Sequence, residues 1–150
     1  MDIDTRHFGK ITIKDEDIID FPEGIPGFED TKKFVLLDDG DKSSPFRWLQ
    51  GVDNPELALV LIDPRYFKPD YLVDVNDADV EILDIKDIDK VLVYSIVVIP
   101  EDVSKMTANL KAPVLINIEN RTGKQVVTEN NDYKVRHYIM EELKLIGGQV

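Results

Sequence analysis

Cysteine is absent from the 150 residues, which excludes a disulfide framework, a thiolate zinc site and a cysteine nucleophile. Histidine is nearly absent: His7 and His137 stand at opposite ends of the chain, without the second His at i+4 that a helical metal pair needs. The serines, Ser43, Ser44, Ser95 and Ser104, form no Gly-x-Ser-x-Gly elbow. Among eight glycines there is neither a Gly-x-Gly-x-x-Gly turn nor a triphosphate-binding loop. Asp74-Val75-Asn76 opens like a calcium loop but fails where Asp79 replaces the required Gly and Ile85 the bidentate Glu. Paired carboxylates occur by chance among 30 acids, so counting them supports no hydrolase. No cofactor or metal is expected, and no catalysis.

Long apolar runs are also missing. Val91 to Ile99, broken by Ser95, falls well short of the ~20 residues of a membrane helix. Met1 to Lys14 shows no basic region followed by an apolar core, so the reading is a cytoplasmic chain without membrane contact. Asn120-Arg121-Thr122 fits a glycosylation sequon, but with Gly123 it reads as a tight turn. Positive charge is scarce, with 18 Lys and Arg against 30 acids and a net charge of −12. Such a chain repels nucleic acid and suits basic protein surfaces. The acidity has a focus, because Asp74 to Asp89 carry seven acids and one lysine.

What is present is strand patterning. Phe8 to Ile13 alternates, and Lys33 to Leu37, Phe46 to Val52, Leu57 to Ile62, Val91 to Ile99, Val114 to Ile118 and Gln125 to Thr128 are short Val, Ile, Leu and aromatic runs. Turn residues separate them, at Glu23 to Gly27, Asp38 to Asp41, Asp53 to Pro55 and Asp63-Pro64. The pattern predicts a mostly β fold over 1–150, a compact antiparallel, barrel-like single domain with a few short helices. Leu57 to Ile62 and Val91 to Ile99, apolar at nearly every position, should be central strands covered on both faces. Asn76 is placed to cap a short helix through Leu83, with Val80 and Leu83 turned to the core. Glu101 to Met106 reads as one turn, and His137 to Ile146 as a helical stripe ahead of Gly147-Gly148 or as a frayed tail.

In Asp63-Pro64-Arg65-Tyr66-Phe67-Lys68-Pro69-Asp70-Tyr71, three aromatics stand among prolines and charges, a composition found at interface anchors. Phe67 and Tyr71 either plug one end of the barrel, leaving Tyr66 on the surface, or serve with it as contacts. Ile25 and Phe28, on the Glu23 to Phe28 loop, carry the same ambiguity.

Phe21-Pro22-Glu23-Gly24-Ile25-Pro26-Gly27-Phe28-Glu29 resembles the most recognisable stretch of the FliW family, the flagellar assembly factors. Phe8-Gly9, Pro45-Phe46, Trp48-Leu49-Gln50, Asp63-Pro64, Asp70-Tyr71, Asn109-Leu110-Lys111-Ala112-Pro113 and Gly123-Lys124-Gln125 are similar in order and spacing, covering about Arg6 to Tyr138. Gly51 stands where the family more often has Ser, and Leu143 to Val150 match nothing, a tail beyond the resemblance. The resemblance implies a non-enzymatic, cytoplasmic protein with two protein partners. They are the RNA-binding translational repressor CsrA, whose grip on flagellin synthesis it relieves, and flagellin itself, which competes for the factor. It implies no direct nucleic acid binding, and the free chain is expected to be a monomer. Phe28, Tyr66, Phe67 and Tyr71 are expected as anchors for an amphipathic flagellin helix, and Asp63, Asp70, Asn109 and Lys111 complete the expected partner-binding set. Asp74 to Asp89 would either cover the RNA-gripping surface of CsrA or bind beside it and repel RNA through their field; the second is favoured as the family's implied noncompetitive behaviour. The alternative outside the family is an acidic module for some other basic protein.

Overall fold

Short apolar runs cut by Gly, Pro and Asp give eleven strands in the computed structural model, which describes residues 1–147. In chain order they are β1 (Asp2–Thr5), β2 (Gly9–Thr12), β3 (Ile18–Asp20), β4 (Lys33–Leu37), β5 (Phe46–Gly51) and β6 (Ala58–Ile62). Then follow β7 (Val91–Val98), β8 (Thr107–Ala108), β9 (Val114–Asn117), β10 (Thr122–Gln125) and β11 (His137–Tyr138). Seven of them close a barrel in the order β3-β4-β5-β6-β7-β9-β10. The seam between β10 and β3 is parallel and slight: one register pair, Thr122 with Asp20, and a 2.9 Å bond from the Asp20 amide to the Arg121 carbonyl. Every other pairing is antiparallel. The mostly β, barrel-like fold expected from the sequence is the one observed.

Strands β6 and β7 are central, and alternation along them feeds two cores. Leu61, Leu92, Tyr94 and Ile96 pack inside the barrel with Phe21, Phe34, Leu49, Val114 and Ile116. On the outer face Ile62, Val93 and Val97 lie under Phe67, Tyr71, Tyr133 and Ile139. The β1–β2 hairpin adds Ile3 and Ile13 over Val35 and Val52. The segment from Val73 to Ile85 covers Leu115 and Val126 through the buried Leu83. With a lid on each outer face, strands apolar at successive positions satisfy both sides.

Gly123 is not a turn residue. It lies within β10 opposite Ile116, and a Cβ built on it would meet the Phe21 ring at 2.4 Å. A glycine inside a strand marks a close approach, here of a core phenylalanine. The chain turns earlier, where Arg121 takes φ +56° and the Asn120 side chain accepts from the Thr122 amide at 3.2 Å. The expected Gln125 to Thr128 strand is correspondingly displaced to Thr122–Gln125.

The Asn76 side chain accepts from the Ala78 amide at 3.0 Å and caps α1 (Asp77–Val80), which tightens into a 3-10 turn ending at the buried Leu83. The single turn expected over Glu101 to Met106 is a 3-10 turn, Val103–Lys105. The C-terminal stripe forms α2 (Ile139–Gly147), with Ile139 buried and Leu143 against the outer core; Gly148 to Val150 lie outside the described residues.

Two asparagines tie the acidic segment to the barrel. Buried Asn117 donates to the Leu83 carbonyl at 2.9 Å and accepts from the Glu119 amide at 3.1 Å, and Asn120 donates to the same Leu83 carbonyl at 2.8 Å. Asn117→Ala is expected to cost about 1–3 kcal/mol, because buried polar groups lose their partners. Hydrogen exchange should quicken across 77–84 more than in β4 to β6; uniform exchange would mean that the tie is idle.

Candidate functional site

The loop after β6 is fixed at its first residue. The Asp63 carboxylate accepts from the Arg65 amide at 3.0 Å, capping a 3-10 turn whose first residue, Pro64, is buried. This turn sends Tyr66 outward, 53% exposed, and Phe67 inward, 1% exposed. Tyr71 is buried completely, its hydroxyl donating to the Leu110 carbonyl at 2.7 Å and its ring 4.6 Å from that of Tyr133. Burial pushes the Tyr71 phenol well above the ordinary tyrosine range, with the neighbouring Tyr133 adding to the shift. The expectation of Phe67 and Tyr71 as surface anchors is therefore corrected. They are the floor that holds the loop, and the apolar outer core explains why they point inward.

Holding the loop shapes a furrow around Arg65. At one end Lys42, Arg47, Asp63, Tyr66 and Tyr94 line a cavity of about 440 Å³. A smaller cavity, about 200 Å³, runs from Asp63 and Pro64 along Val91 to Tyr94. Beyond it Leu72, Val75, Val80, Ile85, Ile88 and Val93 line an apolar cavity of about 400 Å³. Arg65 is a wall common to all three, with Tyr94 on the barrel side of β7 and Val93 on its outer face. Leu72 is 68% and Ile88 73% exposed.

The two ends differ in charge. Arg47 donates to the carbonyls of Ser44 and Phe46, each at 2.6 Å, and to that of Lys42 at 3.1 Å. Among the described residues neither Arg47 nor Arg65 pairs with a carboxylate within 4 Å. Asp38 and Asp41 flank this end, Asp38 paired to Lys42 at 3.2 Å. Their carboxyls are held below the usual range, Asp38 chiefly by the Gly40 amide and Asp41 chiefly by the Ser43 hydroxyl. At the apolar end Asp74, Asp77, Asp79, Glu81, Asp84, Asp87 and Asp89 are all exposed, offset by Lys86 and Lys90.

The remaining expected residues are dispersed. Asp70 is exposed, and Phe28 is exposed on the Gly24–Gly27 loop, outside the furrow. Asn109 accepts from the Ala112 amide at 2.9 Å, and Lys111 donates to the Asn130 carbonyl at 3.2 Å, so both brace the approach to β9. Arg47, Leu72, Ile88 and Tyr94 escaped the sequence reading; only the apolar Ile88 between Asp87 and Asp89 gave a local hint. A separate cavity of about 480 Å³ opens beside the hairpin, lined by Phe8, Ile11, Leu36, Leu92, Ile116 and Arg121 among others, and adjoins none of the expected residues. Among the described residues no group of three His, Asp or Glu is placed to hold a metal ion, and no helix is long and apolar enough to cross a membrane.

Comparison with known proteins places this geometry in a family. The family described as "FliW protein" matches residues 2–139. A "Flagellar assembly factor FliW" from Thermoanaerobacter pseudethanolicus is 49% identical, the alignment covering 96% of each chain. Another, from Alkaliphilus metalliredigens, is 45% identical over 99% of this chain and 92% of the relative. The crystal structure of a flagellar assembly factor FliW superposes with a TM-score of 0.84 at 40% identity, covering 93% of this chain and 96% of that one. Alike in sequence and in fold over nearly its whole length, the chain belongs to the FliW family.

Proposed function

We propose that this chain is a cytoplasmic, non-enzymatic flagellar assembly factor that binds CsrA, relieving its repression of flagellin translation, and that also binds flagellin. The near-full-length likeness to curated flagellar assembly factors carries this reading. When unexported flagellin accumulates it occupies the factor, CsrA is released, and flagellin synthesis falls. The surface supports a binding role. An acidic face suits a basic RNA-binding partner, and Tyr66 and Asp63 stand at an open furrow, with Phe28, Asp70, Asn109 and Lys111 completing the proposed contact set. The chain docks on CsrA beside the RNA-gripping surface, and the field of Asp74 to Asp89 opposes RNA over roughly 8 Å at physiological salt. The free chain is a monomer in this reading.

Titration calorimetry against CsrA and against flagellin tests it. Heat is expected with each, and saturating flagellin should abolish the CsrA heat. In competition at several RNA concentrations, the apparent affinity for CsrA should not weaken in proportion to RNA; proportional weakening means direct occlusion instead. Absence of heat with both partners would sink the assignment and leave an acidic β domain with some other basic partner.

A further inference from the structure

The slight seam leaves an opening in the barrel wall. Strand β3 is three residues long and meets β10 at one register pair, so β4 runs on past it through Leu36 and Leu37 with no strand on that side. The cavity of about 480 Å³ is lined from both faces of β4 here. Leu36 belongs with the interior residues Ile19, Leu92 and Ile116, and Val35 and Leu37 belong with the hairpin side. Ile118 and Arg121, from the turn between β9 and β10, complete the wall. We propose that this opening binds a small amphiphilic monocarboxylate, with its alkyl or aryl part against the barrel core and its carboxylate on Arg121. The site is separate from the protein-binding surface proposed above and does not depend on it.

Size and lining are those of a small-molecule site, mostly apolar with a few placed polar groups. Leu36 and Leu92 pack on the barrel core yet are only half-buried where the opening reaches them. The preferred charge follows from which polar groups are already engaged. Two acids line the cavity, and both are held by their own loops. The Asp17 carboxylate accepts from the Lys14 amide at 3.0 Å, and that of Asp38 from the Gly40 amide at 2.8 Å and from Lys42 at 3.2 Å. Arg121 is the cation of the lining, its backbone fixed where its carbonyl accepts from the Asp20 amide at 2.9 Å. Among the described residues its guanidinium meets no carboxylate within 4 Å. An arginine so placed beside an apolar wall can take a carboxylate through two parallel N–H donors. Asp17 and Asp38 then restrict the ligand to one negative charge, because a second carboxylate would meet their repulsion. The site also carries its own reporter. Phe8 lines the cavity and packs edge-on against Trp48, the one tryptophan of the chain, with ring centroids 5.6 Å apart.

The probes are octanoate, octanol, octylamine and octanedioate, titrated into the full chain near neutral pH with Trp48 fluorescence as the readout. Octanoate is expected to give a saturable change and to raise the melting temperature as its concentration rises, as any ligand of the folded state alone does. Octanol and octanedioate should each bind at least roughly tenfold more weakly, and octylamine no better than octanol. Arg121→Gln should bring octanoate down to the octanol level and leave octanol unchanged, and Arg121→Lys should restore part of the difference, since a point charge keeps the attraction but loses the paired donors. Ile118→Ser, at a position 45% exposed and so dispensable to the core, should weaken octanoate and octanol alike. Tyr138→Ser, which does not line the cavity, should alter neither. No saturable change with octanoate, equal affinity for octanoate and octanol, tighter binding of octylamine, or indifference to Arg121→Gln would overturn the proposal.

Discussion

Gly123→Ala is expected to cost about 3 kcal/mol, the upper end of the usual price of overpacking a core. The added Cβ would fall 2.4 Å from Phe21 Cζ, far inside van der Waals contact. Phe21 cannot swing away, because it is wholly buried and set edge-on to Phe34 with ring centroids 5.1 Å apart. Backbone retreat is equally restricted, since Gly123 is paired to Ile116 in β9 and its neighbour Thr122 makes the seam with Asp20. For a chain of this size the melting temperature should fall by roughly 6–12 °C. Phe21→Leu shortens the offending ring, so Gly123→Ala combined with Phe21→Leu should be less damaging than the two losses added, with a coupling of about 1 kcal/mol or more. Strict additivity in thermal or urea unfolding would show that the two sites do not touch.

Tyr71→Phe is the second large effect. It leaves the ring in place but strips the Leu110 carbonyl of a buried donor at 2.7 Å, for an expected loss of about 1–3 kcal/mol. The same phenol makes stability depend on alkaline pH. Burial raises the folded pKa above the unfolded value of about 10, so the folded state holds its proton longer. The contribution is fully present below about pH 10 and is lost as pH rises toward the folded pKa, at about 1.4 kcal/mol per pH unit. Tyr94, raised chiefly by desolvation, adds a second such limb. Urea unfolding of the parent and Tyr71→Phe chains from about pH 9 to pH 11 should show a stability gap that shrinks above about pH 10. A gap constant across that range would mean that the Tyr71 phenol ionises as freely folded as unfolded.

Much of the barrel was legible because its strands are locally patterned. Strands β4, β5, β6, β7 and β9 follow apolar runs bounded by turn residues, and each run matches its strand to within a residue at either end. Strands β1 and β3 escaped, since Asp2-Ile3-Asp4-Thr5 and Ile18-Ile19-Asp20 are too short and too acidic to stand out. Gly123 was misread because its reason is Phe21, about a hundred residues away, and a contact glycine has the same letter as a turn glycine. Phe67 and Tyr71 look exposed beside prolines and lysine, and only Leu110 and Tyr133, brought from the C-terminal half, make that place an interior. The furrow was invisible for the same reason, being assembled from 42–47, 63–66 and 72–94. The family stretch from Phe21 to Glu29 was plain in the sequence, and in the structure its Phe21 and Gly24 serve as scaffold while Phe28 stays exposed. Phe21 fills the barrel, and a Cβ at Gly24 would stand 2.7 Å from the Glu29 Cα.

The seam of the barrel also sets a clock on biosynthesis. Strand β3 ends at residue 20 and its closing partner begins at residue 122. At the usual ribosomal pace of about 5–20 residues per second, roughly 5–20 s separate their synthesis. Throughout that interval the outer edge of β3 has no neighbour, and open strand edges are templates for pairing with other chains. The nascent protein must therefore pass through a half-built sheet, and the ring shuts only once β10 has left the ribosome.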